Sequence, residues 1–160
     1  MKRKIKISII EDDEFFAELL YWKLGQNKQY EVTVFNDPDT FLNTPAKSHD
    51  VAVIDYHLGN SHYNGLDIAK RIKNVPKIFI SGQNDIVCAL NMIKEGAAVD
   101  YINKASASLD KIVMSTDSIV KRMNAKHKLS CIEKERKKML GRLSCMALIS
   151  ILVLIVSLLF

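Results

Sequence analysis

Cysteine is scarce in this chain: three in 160 residues, Cys88, Cys131 and Cys145, an odd number with no CxxC spacing. That excludes a disulfide framework and a thiolate zinc site, and it fits free thiols in a reducing compartment. The basic start (Lys2, Arg3, Lys4, Lys6) meets acids from Glu11 onward. No apolar stretch of ~7–15 residues follows, so no signal peptide is predicted. There is no internal repeat and no low-complexity segment. Positive charge is also missing where a nucleic-acid-binding domain needs it. The chain is +5 overall, yet nine Lys or Arg stand against Glu133 and Glu135 between Lys121 and Arg142, a net of +7. Residues 1–120 therefore carry −2. The pI of 9.1 belongs to one segment and not to a surface spread over the fold. Histidine offers no metal site either: His57 and His62 share a loop without further ligands, and His49 and His127 stand apart from them.

What is present is an alternation. Ile5–Ile10 is a β-branched run that ends in Glu11-Asp12-Asp13-Glu14. A helical pattern follows, with Phe15, Phe16, Leu19, Leu20 and Leu24 on one expected apolar stripe and Gly25 and Asn27 as its stop. Glu31–Phe35 reads as a second strand, and Asp37-Pro38 as the N-cap and first position of a short helix around Phe41 and Leu42. Val51–Ile54 is apolar throughout, the mark of a strand buried on both faces, and it ends in Asp55. A helix is predicted over 65–74, a strand over 77–80 ending at Ser81-Gly82, and a helix over 85–95 with Ile86, Leu90 and Ile93 inward. A fifth strand is predicted over 97–103, before Lys104, and a last helix over about 106–123. Strands and helices alternating five times predict an α/β fold, a doubly wound five-stranded parallel sheet.

In such a sheet all the strand ends point to one edge, where ligands bind. Glu11 and Asp12 follow the first strand, Asp55 the third, Ser81 the fourth and Lys104 the fifth. Three carboxylates crowded together raise one another's pKa unless a cation intervenes. With oxygen-only ligands the natural cation is Mg²⁺. Lys104 adds a fixed charge and Ser81 a donor, which makes a place for a phosphoryl group beside a metal. An Asp carboxylate there is a candidate phosphoryl acceptor.

In that order and at those strand ends, these residues resemble the receiver domain of the response regulators of bacterial two-component systems, over about residues 4–124. The stretches NGLDIAKRIK and KEGAAVDYINK resemble its third helix and fifth strand. The resemblance implies a flavodoxin-like sheet with Asp55 phosphorylated from the phosphohistidine of a histidine kinase or phosphotransfer protein. It implies that Glu11 and Asp12 hold Mg²⁺ together with Asp55 and the main-chain carbonyl of His57. Ser81 then hydrogen-bonds the phosphoryl group, Lys104 pairs with it, and Tyr101 is the aromatic whose rotamer follows Ser81. Asp13 is read as the N-cap of the first helix. The chain departs from the family at Ala105, where Pro is usual. Its loop from Asp55 to Gly65 is about two residues longer than is typical of the family, lacks the usual Pro, and carries His57, His62 and Tyr63. The segment from Gly65 to Ser81 is short, which predicts a trimmed third helix. Such a protein is not a conventional enzyme, although it assists its own phosphorylation and dephosphorylation. An aspartyl-phosphate phosphatase needs a second Asp two residues after the nucleophile, and that position is His57.

Three segments are expected: a receiver over 1–124, a basic linker or helix over 125–142, and a transmembrane tail over 143–160. Leu143–Phe160 has no charge, Pro or Gly, and as a helix it rises about 27 Å against a hydrocarbon core of ~30 Å. With the basic flank before it, that predicts a single pass through the cytoplasmic membrane, lipid contact through the tail, and the receiver in the cytoplasm. The remaining length is too short for a helix-turn-helix domain, so no direct DNA binding is expected. The spacing of Ile119, Met123, Ile132 and Met139 is irregular and predicts no coiled-coil seam. The predicted output is a protein contact, at the membrane, on the face of helix 85–95, strand 97–103 and the last helix. The downstream target is not named by the sequence. The alternative is a receiver-like scaffold that recruits a partner without phosphorylation.

Overall fold

The apolar runs become one parallel sheet. The computed structural model describes residues 3–45, 48–59, 62–82, 92–94, 98–104 and 109–159. Its strands are β1 (Ile5–Ile10), β2 (Tyr30–Phe35), β3 (Val51–Asp55), β4 (Lys77–Ser81) and β5 (Asp100–Asn103). They lie in the order β2-β1-β3-β4-β5, every pair parallel. Every residue of β3 and β4 is buried, as expected of central strands covered on both faces. At the edge, β2 is only partly covered. The expected doubly wound sheet is therefore present.

The helices are α1 (Glu14–Gly25), α2 (Pro38–Leu42), α3 (Gly65–Arg71) and α4 (Leu109–Leu159). Asp13 caps α1 by accepting the Phe16 N–H, and Asp37 caps α2 by accepting the Thr40 N–H, both as expected. The buried line of α1 is Ala17, Leu20 and Leu24, whereas Phe15 is 72% exposed. The stripe was expected to include Phe15. At ~100° per residue a line centred on Ala17 turns Phe15 outward, along with Trp22 seven positions on. A reciprocal cap between Asn64 and Asp67 opens α3. That helix stops at Arg71, short of the expected residue 74, where Asn74 takes a left-handed φ of 65°. The predicted helix 85–95 lies mostly outside the described residues, Ile86 and Leu90 included. Among those described, Met92 is buried and Ile93 is 44% exposed, the reverse of the expectation for Ile93.

The chain divides into two units, Met1–Val120 and Lys121–Phe160. In the first, α4 closes the core with Ile112, Thr116, Ile119 and Val120, at helical spacing. The Thr116 hydroxyl donates to the Ile112 carbonyl, so this buried polar group is satisfied. Ser115 donates to Asp100 at 2.6 Å, and the Tyr30 hydroxyl donates to Asp117.

The second unit is the rest of α4, which does not stop near Met123 as predicted but runs on to Leu159. Here the expected membrane tail is corrected: among the described residues, no helix is long and apolar enough to cross a membrane. The apolar stretch that prompted the expectation, from Leu143 on, is the end of this one long helix. The turns before it carry the cluster of Lys and Arg. The placement of a single-pass tail in the cytoplasmic membrane falls with it.

Candidate functional site

Register brings the polar strand ends level. Ile10 of β1 pairs with Ile54 of β3, so the next residues, Glu11 and Asp55, stand side by side. Asp55 pairs with Ile80, which places Ser81 one step beyond it. Ser81 pairs with Asn103, and the Lys104 N–H donates to the Ser81 carbonyl at 2.8 Å. Sequence separations of up to 93 residues are thereby reduced to hydrogen-bond distance.

Lys104 joins the acids. Its Nζ donates to Asp55 Oδ2 at 2.8 Å and to Glu11 Oε1 at 2.8 Å, and Glu11 Oε2 lies 2.7 Å away. Glu11 is fully buried and Asp55 nearly so. Burial pushes the Glu11 carboxyl up to about 7, opposed by the hydrogen bond from Lys104 and reinforced by the Asp55 charge. Burial pulls on Lys104 in the other direction, but its hydrogen bonds to Asp55 and Glu11 win and hold the ammonium above its ordinary range. Phe16, on the first turn of α1, lies under the ammonium at 4.7 Å from its ring centroid.

The donor set suits a hard cation. One carboxylate oxygen from each of Glu11, Asp12 and Asp55 can be chosen so that all lie within 4.8 Å of one another. Glu11 Oε2 is buried and meets the Lys104 ammonium as an ion pair, without hydrogen-bond geometry. Three carboxylates gathered against a single ammonium form an acid-rich oxygen set of the kind that a divalent ion with oxygen ligands relieves. Asp12 is exposed and faces an open cleft that Asp13, His57, Gly59, Gly82 and Lys104 also line.

The loop after Asp55 is built for close approach. The His57 N–H donates to Asp55 Oδ1 at 3.2 Å, so His57 enters through its backbone while its side chain is exposed. Gly59 has φ +51°, and a Cβ there would stand 2.6 Å from Asp12 Oδ2. A Cβ on Gly65 would collide with the Asp55 carbonyl, so glycine lets α3 start directly against the end of β3. Ser81 is fully buried at the site, and Tyr101 is half-buried against the core cluster. Asp13 lines the cleft but spends an oxygen on its cap. The sequence reading missed Gly59 and Phe16 as site residues; the φ of Gly59 and the ring contact of Phe16 exist only in three dimensions. It also set His49 aside. That ring is buried, shares a 2.7 Å hydrogen bond with the Ser8 hydroxyl, and packs 4.5 Å from the Phe41 centroid.

Comparison with known proteins places this geometry among relatives. The family model described as the response regulator receiver domain matches residues 7–116. Response regulator protein TodT of Pseudomonas putida is 33% identical over 103 residues, which cover 61% of this chain and 44% of TodT. The chain thus spans less than half the length of the curated relatives it matches. Among solved structures, the receiver domain of the Francisella response regulator 1452 matches with a TM-score of 0.65 at 25% identity, covering 75% of this chain and 99% of that one. The non-phosphorylated HemR receiver domain from Leptospira biflexa gives 0.63 at 26% identity, covering 73% and 94%.

Proposed function

The chain belongs to the response regulator receiver family, and on that premise we propose that Asp55 accepts a phosphoryl group from the phosphohistidine of a histidine kinase or phosphotransfer protein. The observation that carries the reading is Lys104 Nζ at 2.8 Å from Asp55 Oδ2, with the Glu11 and Asp12 carboxylates beside it in an open cleft.

An Asp55 carboxylate oxygen attacks phosphorus. The new P–O bond forms as the P–N bond to the imidazole breaks; the leaving nitrogen keeps the electron pair, and a proton on the other ring nitrogen lets the ring depart neutral. Lys104 holds a positive charge against the acceptor oxygen and against the phosphoryl group that arrives there. Ser81 donates its hydroxyl to a phosphoryl oxygen. Glu11, Asp12 and Asp55, with the main-chain carbonyl of His57, would hold Mg²⁺, which when bound neutralises phosphoryl charge. Tyr101 follows Ser81 and turns the modification into a change of surface. Among the described residues that surface comprises β5 and the first turns of α4, and its output is a protein contact. The chain is then the substrate of its kinase and a partial catalyst of its own phosphorylation and dephosphorylation.

Incubation with Mg²⁺ and acetyl phosphate, followed by intact-mass measurement, tests this. Wild type should gain one phosphoryl group and Asp55→Ala none. No gain on wild type, or an undiminished gain on the variant, sinks the proposal and leaves a phosphorylation-independent scaffold.

A further inference from the structure

The half of α4 beyond Val120 has a patterned surface that the acceptor site does not use. Between residues 124 and 142 its large apolar side chains are Leu129, Ile132, Met139 and Leu140, each more than half exposed. With Leu129 at heptad position a, Ile132 and Met139 fall at d and Leu140 at e, and Leu143 and Met146 continue the series at a and d. The seam was not apparent from Ile119 and Met123. Ile119 is core in the first unit, and Met123 falls at b. Once those two are set aside, the remaining spacing is 3-4-3 with Arg136 at the intervening a position.

The charges name the occupant. In this register Lys128 is at g and Glu133 at e, so in a parallel pair of identical helices the g residue of one faces the opposite charge at e of the other, twice by symmetry. Glu135, at g beside Arg136, gives the guanidinium of the partner helix a carboxylate at the rim, while its aliphatic stem stays in the seam. One charged a position of this kind costs stability and selects register and strand number. The flank upstream is unsuited, because Lys121 at g would face Lys126 at e. The seam therefore begins near Lys128.

We propose that residues 128–146 of α4 form a parallel, two-stranded coiled coil with a second copy of this chain, which puts two acceptor sites in one particle whatever their phosphorylation state.

Sedimentation equilibrium of the full chain, in a mild non-ionic detergent that keeps the apolar end of α4 dispersed, should give twice the 18.1 kDa monomer mass. Ile132→Asp should give the monomer, with the sheet's circular dichroism unchanged because Ile132 is outside the receiver core. Glu133→Lys should weaken association by roughly tenfold, since two attractive pairs become repulsive, and Lys128→Glu with Glu133→Lys should restore it. In a background of Cys88→Ser, Cys131→Ser and Cys145→Ser, Ile132→Cys should be captured as a covalent dimer by diamide, and Lys134→Cys on the outer face should not. A monomer, a higher oligomer, or a dimer indifferent to Glu133→Lys overturns the proposal. Asp55→Ala leaves all these outcomes unchanged, so they fail or succeed apart from the phosphoryl-acceptor reading.

Discussion

Lys104 supplies one ammonium to two buried carboxylates, and most of the site's electrostatics follow from that ratio. Lys104→Ala removes the charge beside Asp55 and leaves Glu11 without its counter-ion. A charge-assisted hydrogen bond is worth ~1.5–3 kcal/mol, so phosphoryl gain from acetyl phosphate at fixed time should fall by about tenfold or more, read by intact mass. His49 makes a separate prediction, for stability. Burial lowers its pKa below 6.5, while backbone contact with Thr44 and the charge of Asp50 oppose and Lys6 assists. Its folded value is depressed, so the neutral ring costs nothing above pH 6.5. As pH falls below that, the unfolded chain takes up a proton that the fold resists, and stability drops. Denaturant titrations at pH 7 and pH 5 should show that loss in wild type and a smaller one in His49→Gln. The acids and Lys104 were legible in the sequence because each ends a strand. Gly59 and His49 were not, since a left-handed φ and a ring stacked on Phe41 leave no spacing behind.

The first three helices each start where a side chain accepts a first-turn N–H, which is why the starts of α1 and α2 were predictable to the residue. Asp13 and Glu11 are two positions apart yet do different work. Asp13→Ala should cost ~1 kcal/mol of stability through the lost cap and leave phosphoryl acceptance intact, as chemical denaturation and mass measurement together would show. Loss of acceptance would make Asp13 part of the site chemistry instead. Which face of a helix is buried was harder to read. Phe15 was expected on the apolar stripe, but Ala17 takes the inward position and Phe15 is turned out. Helix α3 ends at Arg71 because Ile72 leaves the helical region at ψ 87°, and Asn74 beyond it takes a left-handed φ that Asn tolerates. Helix α4 had no stop signal near Met123, and it does not stop there.

On the scale of the whole chain there are two units with different stabilising forces, one a packed sheet with its helices and the other the length of α4 beyond Val120. A ligand that binds only the first should stabilise only the first. Mg²⁺ at ~100 times its dissociation constant should add about 2.7 kcal/mol to the receiver unit, raising the melting temperature followed by its near-ultraviolet signal. Chelation should reverse the shift, and Asp55→Ala should diminish it. An equal shift in the helix of residues 121–159 would refute independent units.

By itself the sequence determined the α/β class, the strand ends and the acids, Ser81 and Lys104 that occupy them. Apolar runs of strand length, separated by helical periodicity, leave few parallel arrangements open. Only the tertiary structure decided that Lys104 bonds both Glu11 and Asp55 and that Gly59 must lack a side chain beside Asp12. Those facts depend on register and on distances between residues far apart in the chain, and a linear pattern does not contain them.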